Sequence, residues 1–132
     1  MAAVLLIAHA PLASALLSVA GHCYEEKGHL FEAIDVEPTM SPETVESLAR
    51  AALARLNAPE VLVLTDVFGA TPSNGAQRLA GERVQVLSGV SVPMLWRTLC
   101  YASQKPLTDL ARRAVQGAAS GIVATPPLPP DE

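Results

Sequence analysis

The sequence predicts an α/β fold, an open and mostly parallel sheet with helices on both faces. Short apolar runs that indicate buried strands alternate with segments whose apolar residues recur at helical spacing, which is the pattern of βαβ units. One such run, residues 4–8, ends on His9, and another, residues 61–65, ends on Asp66. The 132 residues are 50% hydrophobic, which suits one domain with a sizeable core.

The strands are predicted from short runs that are apolar or loosely alternating. They cover residues 3–8, 30–36, 61–65, 84–87 and 121–124. Runs of this length, bounded by proline or glycine, are typical of strands rather than helices. Pro38 ends the second run and Pro59 opens the third.

The helices are predicted from apolar periodicity and from capping signals. They cover residues 12–26, 42 to about 57, 72 to about 79, 93–102 and 106–118. Ser41-Pro42-Glu43 combines an N-cap serine, a proline and an acid of the first turn, so it indicates a helix start. Pro72 is predicted to begin another helix, with Thr71 as its cap. Residues 125–132 hold four prolines and two acids and are predicted to be a disordered tail, which leaves residues 1–124 as the domain.

His9 and Asp66 are the candidate catalytic pair. If the first strand lies between the second and the third, the chain reverses direction there, and ligands bind at such a switch point. A carboxylate that bonds one imidazole nitrogen fixes the tautomer, directs the other lone pair outward and stabilises positive charge during attack on an electrophile. The alternative is a structural histidine bonded to a main-chain carbonyl, with Asp66 as an ordinary turn residue.

The loop after Asp66 is a candidate site for an anion such as a phosphoryl group. Gly69 permits backbone conformations that are closed to other residues. The helix start at residues 71–73 points free N–H groups and the positive end of the helix dipole at the sheet edge. Gly69, Ala70, Thr71 and Ser73 are therefore the candidate phosphoryl-binding residues. A plain N-cap after a strand is the alternative.

Composition and motifs argue against several other classes of protein. The net charge is −4 and no basic stripe is present, so nucleic acid is not an expected partner. His22, Cys23 and His29 match no closed zinc set, and we expect no metal and no cofactor. A response-regulator receiver has this topology, but it needs an acidic pair after the first strand to hold Mg²⁺, where this chain has Ala8-His9-Ala10.

The apolar N-terminus is predicted to be a strand and a helix, not a targeting segment. No Lys or Arg precedes Lys27, whereas a signal peptide has a positive start. His9 and Pro11 interrupt the apolar run, so no membrane insertion is expected. Cys23 and Cys100 lie far apart and form no C-x-x-C motif, which fits a reducing, cytoplasmic location.

Three segments together resemble the mannose-class IIA component of the bacterial phosphoenolpyruvate:sugar phosphotransferase system. They are the strand ending in His9, the run from Asp66 to Asn74 and the run from Gly89 to Leu95. The resemblance spans residues 3–124. It implies that His9 accepts a phosphoryl group from the phosphohistidine of HPr, that Asp66 orients His9, and that a histidine of a IIB component is the next acceptor. It also implies a homodimer that exchanges an antiparallel last strand, matched by residues 121–124.

The chain departs from the family pattern around the acceptor and in the loop. The family usually has Thr-His-Gly around the histidine, and this chain has alanine at positions 8 and 10. The family commonly has Gly-Gly-Ser-Pro in the loop, and this chain has Gly69-Ala70-Thr71-Pro72. A hydroxyl is lost at Ala8, and backbone freedom is lost at Ala10 and Ala70. These changes bear on partner choice and on packing around the phosphoryl group more than on the type of reaction.

Two classes of function remain open from the sequence. The first is a phosphocarrier that relays phosphate toward a sugar through a IIB domain, fused or separate. The second is a regulatory module whose phosphorylation state controls what it binds, without onward transfer to a sugar. The residues name no particular sugar.

Overall fold

A computed structural model describes residues 2–23 and 30–131 of the chain. Its strands are β1 (Ala2–His9), β2 (Phe31–Val36), β3 (Glu60–Thr65) and β4 (Val84–Ser88). Its helices are α1 (Leu12–Cys23), α2 (Pro42–Leu56), α3 (Thr71–Gln77), α4 (Val92–Tyr101) and α5 (Leu107–Ser120). The predicted last turn of the first helix, residues 24–26, lies outside the described residues. No helix of the described segments has both the length and the apolar character needed to cross a membrane.

The sheet is parallel, with the strand order β2-β1-β3-β4. β1 is central, and each residue from Ala2 to Ala8 is at most 1% exposed. Its even-numbered side chains join the core under α1, α4 and α5, and its odd-numbered ones join the core under α2 and α3. Burial on both faces explains why this strand is a continuous apolar run. The α/β class is confirmed, and the switch point lies between β1 and β3, as predicted.

The helix starts agree with prediction in α2 and differ in α3. Ser41 caps α2, accepting the main-chain N–H of Thr44 at 3.2 Å. In α3 the predicted cap, Thr71, is wrong, because Ala70 is the N-cap and Thr71 is the first helical residue. The first helical hydrogen bond sets this boundary, since the Asn74 main-chain N–H donates to the Ala70 carbonyl at 2.8 Å.

The C-terminus also differs from prediction. Among the described residues the sheet has four strands, and residues 121–124 form none. Gly121 ends α5 close to Pro93, and residues 122–131 are exposed without helix or strand. A strand needs an edge to pair with. Within this chain, residues 121–124 pair with neither edge strand, β2 or β4. Their pairing with a second copy stays a prediction.

Gly75 lets α3 pack closely on α2 and so holds the loop before α3. A Cβ atom at position 75 would lie 2.6 Å from the Val45 Cβ and 3.0 Å from the Pro42 carbonyl oxygen. We expect Gly75→Ala to lower the free energy of unfolding by about 1–2 kcal/mol, because overpacking outweighs the gain in helix propensity. Urea unfolding would measure this. Gly81→Ala is the control, since a Cβ there meets nothing within 4 Å. Equal stability of the two variants would contradict the assignment.

Candidate active site

His9 and Asp66 are in direct contact at the C-terminal edge of the sheet, between the neighbouring strands β1 and β3. The His9 Nδ1 lies 2.7 Å from the Asp66 Oδ2. The same Oδ2 accepts the His9 main-chain N–H at 2.9 Å, and Oδ1 accepts the Val67 N–H at 2.9 Å. One carboxylate therefore holds both the backbone and the ring of His9.

The electrostatics of this contact determine which ring nitrogen is free. Burial raises the pKa of Asp66, but hydrogen bonds from the main chain and ring of His9 and from the Val67 N–H outweigh it and leave that pKa below its ordinary value. An ionised carboxylate only accepts hydrogen bonds, so in the neutral imidazole the facing Nδ1 carries the proton and Nε2 carries the lone pair. The His9 side chain is 52% exposed and that of Asp66 is 15% exposed. The arrangement thus presents an accessible imidazole held by a shielded carboxylate.

The turn after His9 is held from the other side by β2. The Ala10 N–H donates to the Val36 carbonyl at 3.0 Å. Asp35 accepts the Ser14 main-chain N–H at 3.0 Å and the Ser14 hydroxyl at 2.6 Å, which caps the first turn of α1. Neither Asp35 nor Ser14 was singled out from the sequence. The available signal was an acid within the strand that was expected to lie beside the apolar run ending in His9.

The loop between β3 and α3 has the conformation that its sequence suggested. Gly69 has a φ of 93°, in the region that favours glycine. Ala70 is extended, with φ −95° and ψ 171°. Thr71 is partly buried, and its hydroxyl has no hydrogen-bond partner among the described residues. These three residues stay candidates for binding a phosphoryl group.

Ser73 differs from the other three candidates because its side chain points into the domain. It is fully buried, and its hydroxyl lies 3.1 Å from the Ser88 Oγ. The Gln77 side-chain amide also donates to the Ser73 Oγ at 3.4 Å. The hydroxyl therefore serves an internal contact, and only the Ser73 main-chain N–H remains a candidate phosphoryl ligand.

The surface around His9 is acidic and apolar. The segments that follow the four strands contain no Lys or Arg; they are residues 10–11, 37–41, 66–70 and 89–91. Their charged residues are Glu37 and Asp66. Val67 and Phe68, next to Asp66, are 56% and 74% exposed. An anion at His9 thus meets no basic side chain from these loops.

His22, Cys23 and His29, which match no zinc set in the sequence, lie largely outside the described part of the chain. Residue 29 and the side chains of His22 and Cys23 lie outside what is described. Within residues 2–23 and 30–131, no group of three His, Cys, Asp or Glu side chains is arranged to hold a metal ion.

Comparison with known proteins identifies the family. The family model described as "PTS system fructose IIA component" (EIIA-man) matches residues 3–115. The "PTS system mannose-specific EIIAB component" of Escherichia coli (strain K12) is 36% identical over 95 residues, which is 69% of this chain and 29% of that protein. The chain thus spans less than a third of the curated relatives that it matches.

Solved structures share the fold over nearly the whole chain. The phosphotransferase system component EIIA of Streptococcus agalactiae has a TM-score of 0.80 at 25% identity, covering 96% of this chain and 98% of that one. The mannose/sorbose specific IIA subunit of Enterococcus faecalis has a TM-score of 0.75 at 22% identity, covering 98% and 96%. The chain therefore belongs to the EIIA-man family of phosphotransferase-system IIA components, which are phosphotransferase proteins.

Proposed function

We propose that this chain is a phosphocarrier of a sugar phosphotransferase system. His9 accepts a phosphoryl group from a phosphorylated HPr-type protein and passes it on, with Asp66 orienting the ring. The observation that carries this proposal is the 2.7 Å contact between His9 Nδ1 and Asp66 Oδ2, which leaves Nε2 with its lone pair on a half-exposed side chain.

The bonds, electron pairs and protons of the proposed transfer are accounted for by the two histidines, without a metal or an added base. The Nε2 lone pair of His9 attacks phosphorus while the P–N bond of the donor phosphohistidine breaks. The donor ring, protonated on its other nitrogen, takes back the electron pair and leaves as neutral imidazole. His9 becomes a phosphoryl-imidazolium, whose positive charge Asp66 stabilises. The phosphoryl group has a similar free energy on either histidine, so the site needs positioning more than strong electrophilic assistance.

The phosphoryl group is proposed to be held by the loop before α3. Main-chain N–H groups of Gly69, Ala70, Thr71 and Ser73, and the Thr71 hydroxyl, are the proposed ligands. The loops that follow the four strands carry no Lys or Arg, so they offer the phosphoryl group no basic side chain, and the proposed source of such a cation is the partner protein. An acidic and apolar surface suits a donor that presents basic and apolar side chains.

The proposed onward acceptor is a histidine of a IIB component. The similar Escherichia coli protein is named an EIIAB component, which supports this choice.

We also propose a cytoplasmic location, because the two cysteines form no C-x-x-C pair and fit a reducing compartment.

Phosphoryl transfer is tested directly with purified components. The chain is incubated with labelled phosphoenolpyruvate, enzyme I and HPr, and a IIB domain is then added. We expect label on the chain and its loss to IIB. A chain that never takes label contradicts the proposal. A chain that takes label and passes it to no IIB domain supports the regulatory function instead.

We also propose a homodimer in which residues 121–124 add to β4 of a second copy. β4 is an edge strand with one side unpaired. Beside it, a groove of about 480 Å³ between β4 and α5 is lined in part by Leu87, Ala111 and Val115. Ile122 and Val123 are 85% and 77% exposed, and their burial in such a groove removes apolar surface from water.

An Ile122→Asp variant is expected to weaken this dimer by about tenfold or more, because a carboxylate would have to be buried in an apolar groove. Multi-angle light scattering across a dilution series measures the change. Leu128→Asp is the matched control, since Leu128 is 79% exposed but lies beyond the proposed strand. A wild-type chain that is monomeric throughout the series would contradict the proposal.

A further inference from the structure

Three hydroxyl side chains are linked beneath the loop that carries Asp66. The Thr65 hydroxyl donates to the Ser88 Oγ at 3.0 Å, and the Ser73 and Ser88 oxygens lie 3.1 Å apart. The Gln77 amide donates to the Ser73 Oγ at 3.4 Å. Thr65, Ser73 and Ser88 are called the hydroxyl cluster below.

Each member of the hydroxyl cluster adjoins a segment that builds the site. Thr65 directly precedes Asp66, and its carbonyl accepts the Val90 N–H at 2.9 Å. Ser88 directly precedes Gly89, whose N–H donates to the Asp66 main-chain carbonyl at 2.6 Å. Ser73 lies in the first turn of α3, just after the loop. The cluster therefore joins the ends of β3 and β4 to the start of α3.

Ser88 is the common hydrogen-bond partner of the other two hydroxyls. Its oxygen accepts the Thr65 hydroxyl and shares a hydrogen bond with the fully buried Ser73 hydroxyl. The Ser73 oxygen also accepts from the Gln77 amide. One atom on β4 thus ties β3 to α3.

Two hydroxyls of the cluster, those of Thr65 and Ser73, are buried, and their burial contributes little to stability. A buried hydroxyl loses its hydration, and a hydrogen bond that replaces it adds little net stability. The described residues include three buried polar side chains: Thr65, Ser73 and Thr98. The Thr98 hydroxyl bonds the Met94 carbonyl within its own helix, at 2.9 Å. The other two both belong to the cluster under the site.

We propose that the hydroxyl cluster is a positioning device for the catalytic pair. It fixes Thr65, which directly precedes Asp66, and Gly89, whose N–H donates to the Asp66 main-chain carbonyl. The carboxylate is thereby placed to meet the His9 ring with Nε2 outward. Its effect on rate rests on the proposed phosphocarrier function, whereas its effect on the geometry of the pair does not. A misplacement of about 1 Å at a reacting group costs about 10²-fold in rate.

The experiment compares hydroxyl deletions at matched positions. Thr65→Val removes the hydroxyl and keeps the side-chain shape, and Thr65→Ser keeps the hydroxyl. Thr98→Val removes a buried hydroxyl that lies outside the cluster. Two readouts are followed: the initial rate of labelling by phosphorylated HPr, and the ring ¹⁵N chemical shifts of His9, which report its tautomer. Thermal unfolding is recorded for every variant.

We expect Thr65→Val to slow labelling by about tenfold or more and to move the His9 ring shifts toward a mixture of tautomers. Thr65→Ser should recover most of the rate, and Thr98→Val should leave the rate and the shifts within error of wild type. Ser73→Ala is expected to act like Thr65→Val and replaces it if that variant does not fold.

Two results distinguish failure of this inference from failure of the proposed phosphocarrier function. If both deletions lower the unfolding temperature but leave the His9 shifts and the labelling rate unchanged, the hydroxyls are merely structural and the inference is overturned. If wild-type protein takes no label, the proposed function fails, while the His9 shifts still decide whether the cluster positions the pair.

Discussion

A His9→Ala variant is expected to fold normally and to take no phosphoryl group from phosphorylated HPr. The imidazole is the proposed nucleophile, and alanine offers no lone pair in its place, so the loss of labelling should be complete. The fold should survive because the His9 side chain is 52% exposed at the end of β1, and its truncation opens no cavity in the core. Autoradiography after incubation with the donor system measures the first effect, and thermal unfolding measures the second.

The control for this variant is a second histidine. The chain has three histidines, and His22→Ala should label like wild type. Label that persists in His9→Ala and disappears in His22→Ala would assign the acceptor to His22. A His9→Ala protein that fails to fold would be replaced by His9→Gln, which keeps a polar side chain at the exposed position.

Asp66→Asn is expected to slow phosphorylation by about 10²–10³-fold, or roughly 3–4 kcal/mol of barrier. The amide keeps the shape of the carboxylate but removes the charge that stabilises the ring as it becomes positive. An amide N–H turned toward Nδ1 would also place the ring proton on Nε2 and remove the nucleophilic lone pair. Single-turnover labelling with excess phosphorylated HPr measures the rate, and circular dichroism checks that the fold is kept.

The chemical stability of the product tests the same assignment independently. A phosphohistidine is labile in acid and stable in alkali, whereas an acyl phosphate is destroyed by alkali. We expect the wild-type label to survive alkali and to be lost in acid. Label that is lost in alkali and remains in His9→Ala would identify Asp66 as the acceptor. The chain would then resemble a receiver in its chemistry.

The pairing of His9 with Asp66 was predictable because it depends on strand order and not on side-chain detail. A fully apolar run indicates a strand buried on both faces, and parallel strands end at one edge of a sheet. Both residues are the first ionisable groups after such runs. The proximity of His9 and Asp66 therefore follows from the topology. The bounds of the four observed strands fall within one residue of the prediction.

The features that were not predictable depend on contacts between distant segments. The internal hydroxyl of Ser73 needs Ser88 from β4 beside it, and the cap of α1 needs Asp35 from β2. Neither contact leaves a periodic trace in the sequence. The strand expected at residues 121–124 has the apolar composition of a strand, but strand formation needs a free edge in reach, which composition does not encode.

The burial of residues 2–8 in β1 makes local opening more costly beside His9 than in the loop after Asp66. β1 is a buried central strand with neighbours on both sides. We expect its amide groups to exchange with solvent mainly through global unfolding. His9 terminates that strand, so its anchor persists for as long as the domain is folded. Val67, Phe68 and Gly69 lie in an exposed loop, where local opening is less costly. His9, the proposed acceptor, is thus anchored at the end of the strand that we expect to exchange most slowly, while the loop after Asp66 can open locally.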